Sequence, residues 1–535
     1  MTGGTASTEG LRAAGALRQE LGRGLDRLPD DRAAADLVQG LALHLRQAMA
    51  ETPSLRGAVE AAVAAAPPPA TPAGRVAEQL LRAMLLGDAA APTRAIDLTA
   101  EALRAGAPDM PLARAQYIFQ GVNYALWSNG FRTADPGAHD LAMRRLWQAI
   151  VDGFRAAMPA PRAPIPAFAR RDDLVVLLTG QFMHAIHQPS VDILEFAHIL
   201  MTRLGRRVVL VNTADGPVEV GFPLLSDYRS NVDDRLLKIR NLSFHEVKIP
   251  FVHLTPGTTT PAEAADVLDF VAELRPGLVM SFGTASPVAD LCRDLTDVVA
   301  IPFGTYLPVA QPTYFGLPRP ASPSDRPALE LAGVPPERVI PIFYGYSLPE
   351  TGQPARRAEL GVPEDALVAA VIGLRLDSEV TDGFAATLEG LLRDEPRLFF
   401  LFVGPFEAYG GLAARFPLLA SRARAIGLQH DVRAVLKACD LYLNPPRGGG
   451  GASAAYALAE GVPAFTLPWG DVSVVAGPDF HLKDLKDFAA VARVLGGSEA
   501  SRADWSRRAR DRYAAISSRE EMLRMVLDGV KARRG

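Results

Sequence analysis

The chain has 535 residues, 48% of them hydrophobic and 22% charged, with a formal net charge of −4. That much apolar surface builds several packed cores and excludes a disordered, collagen-like or disulfide-stapled chain. The mild acidity argues against nucleic acid as a partner, because such binding rests on concentrated basic surface.

Leu11, Leu17, Leu21, Leu25 and Leu28 recur at helical spacing, and Ala33 to Met49 repeats the pattern. Pro67, Pro68, Pro69 and Pro72 read as a loop, since proline lacks the amide and fixes φ. Amphipathic stretches follow at Val76–Leu86, Thr93–Ala105, Leu112–Leu126 and Leu141–Met158. Residues 1–165 are therefore expected to form an all-helical domain, closed by a proline-rich linker from Pro159 to Phe168.

The rhythm then changes. Asp173–Gly180 is a short apolar run, Val191–Leu204 a helix and Arg207–Asn212 a second apolar run, which together make a β-loop-α-β unit of a parallel sheet. A helix at Val267–Leu274 leads into strands at Gly277–Gly283 and Val298–Gly304, and Ala321 to Pro336 reads as a linker. A second series follows, with strands at Val368–Gly373, Leu398–Gly404, Asp440–Asn444 and Pro463–Pro468. Helices are expected between them at Asp382–Leu392, Val432–Ala438 and Ala454–Glu460. The expected fold class is α/β: two Rossmann-like lobes at 166–335 and 336–535, facing a cleft and preceded by the helical domain.

No apolar run approaches the ~18–20 residues of a membrane span, and Met1 to Gly10 lacks the basic and apolar regions of a secretory signal. The two cysteines, Cys292 and Cys439, stand apart, so neither a disulfide framework nor a cysteine-rich metal site is available. The expected setting is reducing and cytoplasmic.

The stretch richest in chemical meaning runs from Cys439 through Asn444, Arg447 and four glycines, Gly448, Gly449, Gly450 and Gly451, to Ala452 and Ser453. It reads as strand, glycine turn and helix start, where free amides and the positive helix end cradle a phosphate or diphosphate. Glycine allows close backbone approach, and Arg447 is placed to add a charge-assisted contact. The bland alternative is a surface loop.

From Asp440 to Pro463 this order of strand, glycine turn, helix and Gly461-Val-Pro resembles the donor-binding half of GT-B glycosyltransferases. It comes nearest the branch of O-GlcNAc transferases and bacterial adhesin N-glucosyltransferases. Cys439–Gly449 is similar to their Cys-Asp-Leu-aromatic-Leu-Asn-Pro segment and turn, Gly470-Asp471-Val472 to a Gly-Asp-x-Val segment, and Arg357–Ala366 with the strand to Gly373 to the start of their second lobe. The sequence also departs from the branch: Tyr456 stands where an aspartate holds the donor ribose, and no lysine follows the Gly373 strand.

The resemblance implies a metal-independent transferase that uses a nucleotide sugar as co-substrate and needs no further cofactor. UDP-hexose or UDP-HexNAc is the implied donor, and a bacterial surface protein or glycan the implied acceptor. Donor contacts are expected at Gly373, His430, Asn444, Arg447 to Ser453 and Asp471. Arg375 could neutralise the leaving diphosphate or simply pair with Asp377 or Glu379. His430 could contact the nucleotide or be an exposed loop residue.

In the first lobe, Gly180 to Ser190 carries His184, His187 and a Ser190 expected to cap the following helix. Either histidine could serve as base toward the acceptor, orient the sugar, or pack the loop. Phe282–Pro287 and Pro302–Thr305 are expected to wall the acceptor side. The helical domain is available for presenting a protein acceptor or for dimerisation. Two alternatives to a transferase remain: a GT-B body that no longer transfers sugar and acts as an accessory factor, and a sugar-nucleotide epimerase.

Overall fold

The structure, a computed structural model, describes residues 8–127, 130–158, 162–183, 187–216, 221–225, 233–257, 259–283 and 285–534. The chain forms two compact units. The first holds residues up to 303, 307–316 and 321–340; the second holds 304–306, 317–320 and 341 onward.

In the first unit the N-terminal region is helical as its periodicity predicts, but the prolines play a different part. Pro72 opens a helix, Pro72–Leu81, with Thr71 accepting from the Gly74 amide, and Pro136 opens Pro136–Ala157 with Asp135 as cap. A missing N–H costs nothing in the first turn, where it would have no partner, so these prolines begin helices. The helical region also shares one apolar core with the sheet that follows. Within that unit Trp147 Nε1 donates to Asp290 Oδ2 at 2.6 Å, and Arg144 donates to the carbonyls of Leu307 and Pro308.

That sheet has eight strands: β1 (Arg171–Thr179), β2 (Arg207–Asn212), β3 (Asn241–Phe244), β4 (Val247–His253), β5 (Pro276–Phe282), β6 (Val298–Ile301), β7 (Tyr314–Leu317) and β8 (Val339–Pro341). The order is β3-β4-β2-β1-β5-β6-β7-β8, with β3 antiparallel to β4 and parallel pairing from β4 through β7. The run 321–336, expected as a linker, contains the helix Arg326–Ala332, entered through a Ser322–Asp325 capping box and ended by left-handed Gly333.

The second unit carries five strands: β9 (Leu367–Ile372), β10 (Leu398–Val403), β11 (Ala423–Ala425), β12 (Leu441–Leu443) and β13 (Ala464–Phe465). They lie in the order β11-β10-β9-β12-β13, all parallel, around a separate apolar core. Strands β9, β10, β12 and β13 are buried along their whole length, which is why they appear in the sequence as unbroken apolar runs; the edge strand β11, with Arg424 exposed, leaves no such run. Among the described residues no helix is long and apolar enough to cross a membrane.

Asp290 supplies a test of how the first unit responds to pH. Burial pushes its carboxyl up to about 7, against the lowering effect of Trp147 and the Gln311 amide. Its folded-state pKa is above the ~3.9 of an unfolded aspartate, so its contribution to stability is complete below about pH 4 and is lost as pH rises through about 7. Asp290→Asn cannot titrate. The native melting temperature should therefore gain on that of the variant when pH falls from 8 to 5, and a pH-independent gap would refute this account.

Candidate functional site

Open parallel sheets bind ligands where the strand order reverses, outside the carboxyl ends of the strands. In the second unit the chain runs β9, β10, β11 toward one edge and then β12, β13 toward the other, so the reversal lies between Gly373 after β9 and Asn444 after β12. The glycine turn sits there. Gly450, at φ +105°, precedes the helix Gly451–Ala459 without a side-chain cap. The main-chain N–H groups of Gly448, Gly449, Gly450, Gly451, Ala452 and Ser453 donate to no acceptor among the described residues. Six such amides at the positive end of a helix make an anion cradle.

Arg447 is placed differently from its expected role. Its side chain is 8% exposed and every guanidinium nitrogen is used: Nε on Asn444 Oδ1 (2.9 Å), Nη1 on Glu379 Oε2 (2.5 Å), Nη2 on the Ile372 carbonyl (2.7 Å) and the Tyr442 hydroxyl (3.0 Å). Burial opposes its charge, but Tyr442 and Glu379 outweigh that and hold its pKa above the usual arginine value. It therefore ties the ends of β9 and β12 from behind the turn. Asn444 is buried and committed to Arg447, Tyr442 and Thr466.

Of the two readings of Arg375, the ion pair is present. The side chain is 40% exposed and its Nη2 lies 3.2 Å from Glu379 Oε1, while Asp377 accepts from the Ala408 amide instead. Two arginines on one glutamate leave one net positive charge beside the cradle. Gly373 is confined to glycine by the same group, because a Cβ there would sit 2.6 Å from Glu379 Oε2 and 2.7 Å from Arg447 Nη1.

Beyond β9 the edge turns apolar. Leu374 is 73% exposed and Leu428, after β11, is 60% exposed. His430 is exposed too, next to Asp431, which caps the helix Val432–Leu436 and holds Gly352 and Thr351. On the other side, after β13, Asp471 accepts from Thr305 N (2.9 Å) and Oγ1 (2.7 Å), and its own amide donates to the Gly448 carbonyl (2.7 Å). Burial raises its carboxyl pKa above the usual aspartate value. Thr305 was expected on the acceptor wall of the first lobe; residues 304–306 pack instead with the second unit. Tyr456 lies half-buried against the second unit's core.

In the first unit the strand order reverses between β1 and β5. His184 lies outside the described residues. His187 Nδ1 is 2.9 Å from Ser190 Oγ, which also accepts from the Met183 amide at 2.9 Å. Ser190 is not the cap: the helix is Gln188–Thr202 with His187 before it, because Pro189 fits the first turn and starts the helix earlier than the apolar pattern does.

Sequence reasoning missed a hub nearby. Asp215 is fully buried and accepts from Thr213 Oγ1 (2.6 Å), from Thr259 Oγ1 and from Ser286, so it joins the loops after β2, before the helix Pro261–Leu274, and after β5. Burial pushes its carboxyl up to about 6. The available signal was a polar run, Asn212-Thr-Ala-Asp215, directly after an apolar strand. Among the described residues no three His, Cys, Asp or Glu side chains converge on a metal-sized site.

No protein-family model matches the sequence, and no curated protein does. Solved structures do match. An O-GlcNAc transferase variant from Thermobaculum terrenum aligns over 99% of this chain and 98% of its own, with a TM-score of 0.52 at 15% identity. A glycosyltransferase from Rickettsia africae aligns over 67% of this chain and 97% of its own (TM-score 0.46, 12% identity). The lipopolysaccharide outer core galactosyltransferase WaaB aligns over 67% and 99% (TM-score 0.46, 10% identity). At such identities the full-length match establishes fold alone: this chain has the GT-B fold, and the match extends through its helical N-terminal region.

Proposed function

We propose that this protein is a metal-independent glycosyltransferase that moves a hexose or N-acetylhexosamine from a nucleotide sugar, with UDP as the nucleotide, to a protein or glycan acceptor. The observation that carries this reading is the row of six amides, without an acceptor among the described residues, at the point where the second sheet's strand order reverses. The sugar's anomeric carbon gains a bond to the acceptor atom and loses its bond to the diphosphate oxygen. The departing negative charge would be met by the amides of this turn and by the net charge of the Arg375–Glu379–Arg447 group.

Release of the acceptor proton falls to His184 or His187. For His187 to accept it at Nε2, Nδ1 must carry hydrogen and donate to Ser190 Oγ, the arrangement its 2.9 Å contact allows. The chain would work in the cytoplasm, with the helical region presenting the acceptor or joining two copies.

A second reading, an accessory protein that does not transfer sugar, is favoured by the internal pairing of both arginines and by Tyr456. Calorimetric titration with UDP, UDP-glucose, UDP-galactose and UDP-GlcNAc separates the two. The transferase should bind UDP and at least one of the sugars and hydrolyse it slowly, whereas absence of any nucleotide binding would overturn the proposal.

A further inference from the structure

We infer that Asp471 accepts a hydrogen bond from a hydroxyl of the transferred sugar, and that the donor site therefore takes uncharged sugars and rejects hexuronates. This inference rests on the nucleotide-sugar reading above. It begins from the order of groups along one sheet edge. The cradle follows β12. On one side of it, after β9 and β11, stand the exposed side chains of Leu374 and Leu428; on the other, after β13, stands the carboxylate of Asp471. A nucleotide sugar has the same polarity, with an apolar aromatic base at one end, charged phosphates in the middle and a hydroxyl-rich ring at the other. With the phosphates on the amides, the base matches the leucine side and the sugar matches the Asp471 side.

The local geometry suits a hydroxyl. Asp471 is anchored to the turn through its amide on the Gly448 carbonyl, and its Cβ lies 3.5 Å from the position of a Cβ on Gly451. Oδ1 is occupied by the amide and hydroxyl of Thr305, while Oδ2 accepts from no described residue. Gly304 flanks both oxygens: a Cβ there would come within 3.1 and 3.2 Å of them and 3.1 Å of the Tyr306 ring, so a side chain at 304 would crowd the carboxylate. A carboxylate oxygen of this kind gains from an O–H donor and is repelled by a second carboxylate. Burial has already made its charge costly, so a sugar carboxylate beside it is disfavoured further.

The test is titration of the full chain and of Asp471→Asn with UDP, UDP-glucose, UDP-GlcNAc, UDP-galactose and UDP-glucuronate. Asparagine keeps an oxygen for Thr305, and melting curves check that the variant folds. The native protein should favour its best uncharged UDP-sugar over UDP-glucuronate by at least about tenfold, and the variant should lose that preference while holding UDP as before. If UDP binds but the preference is missing, or survives in Asp471→Asn, this inference falls and the transferase reading stands. If no nucleotide binds either protein, the transferase reading falls and takes the inference with it.

Discussion

Glu379→Ala should cost roughly 3–5 kcal/mol of folding stability, the range for removing one partner of a buried ion pair. Glu379 and Arg447 are each only 8% exposed and meet at 2.5 Å. Alanine would leave the guanidinium buried without its counter-charge, still held by Asn444, Tyr442 and the Ile372 carbonyl, which cannot neutralise it. Glu379→Gln keeps a hydrogen-bond acceptor and should cost less. Arg375→Ala removes only the half-exposed partner and should cost no more than about 1 kcal/mol. Urea unfolding of the three variants orders them; a loss under about 1 kcal/mol in Glu379→Ala would show that the pair does not hold β9 to β12.

Gly450→Val should weaken nucleotide binding by roughly ten- to a hundredfold, since a hydrogen bond to a charged group is worth about 1.5–3 kcal/mol. The residue has φ +105°, a conformation that a β-branched side chain resists, and its Cβ would press to 2.6 Å from Arg447 Nη2. Relief of either strain moves the amides on both sides of position 450. Gly449 is the control: it has no positive φ and nothing within 4 Å of an added Cβ, so Gly449→Ala should bind nearly as the native protein does. Equal affinities for Gly450→Val and Gly449→Ala, read by calorimetry, would remove the cradle from the account.

Much of this architecture was legible before any coordinate. Strands β9, β10, β12 and β13 of the second sheet are buried from end to end, so hydrophobicity alone marks them, whereas the edge strand β11, with Arg424 exposed, leaves no apolar run. A glycine turn between a strand and a helix is a local pattern. Strands β3 and β4 form a short antiparallel hairpin without an unbroken apolar run: β3 alternates between exposed and half-buried, and on β4 the buried Ile249, Phe251 and His253 alternate with residues that are exposed or half-buried. Pro72 reads as a loop residue in the sequence yet opens a helix, as do Pro136 and Pro189, because the same residue that breaks a helix also starts one.

What the sequence determined by itself is therefore local: the helices between residues 8 and 158, the apolar strands, and the glycine turn before a helix. Tertiary structure decided the use of the charges. Arg447 meets a glutamate 68 positions away, Asp471 meets Thr305 across 166, and Asp215 collects hydroxyls from three loops. Backbone conformation answers to near neighbours along the chain, whereas a buried charge answers to whatever the fold brings within about 3 Å, and no spacing in the sequence encodes that distance.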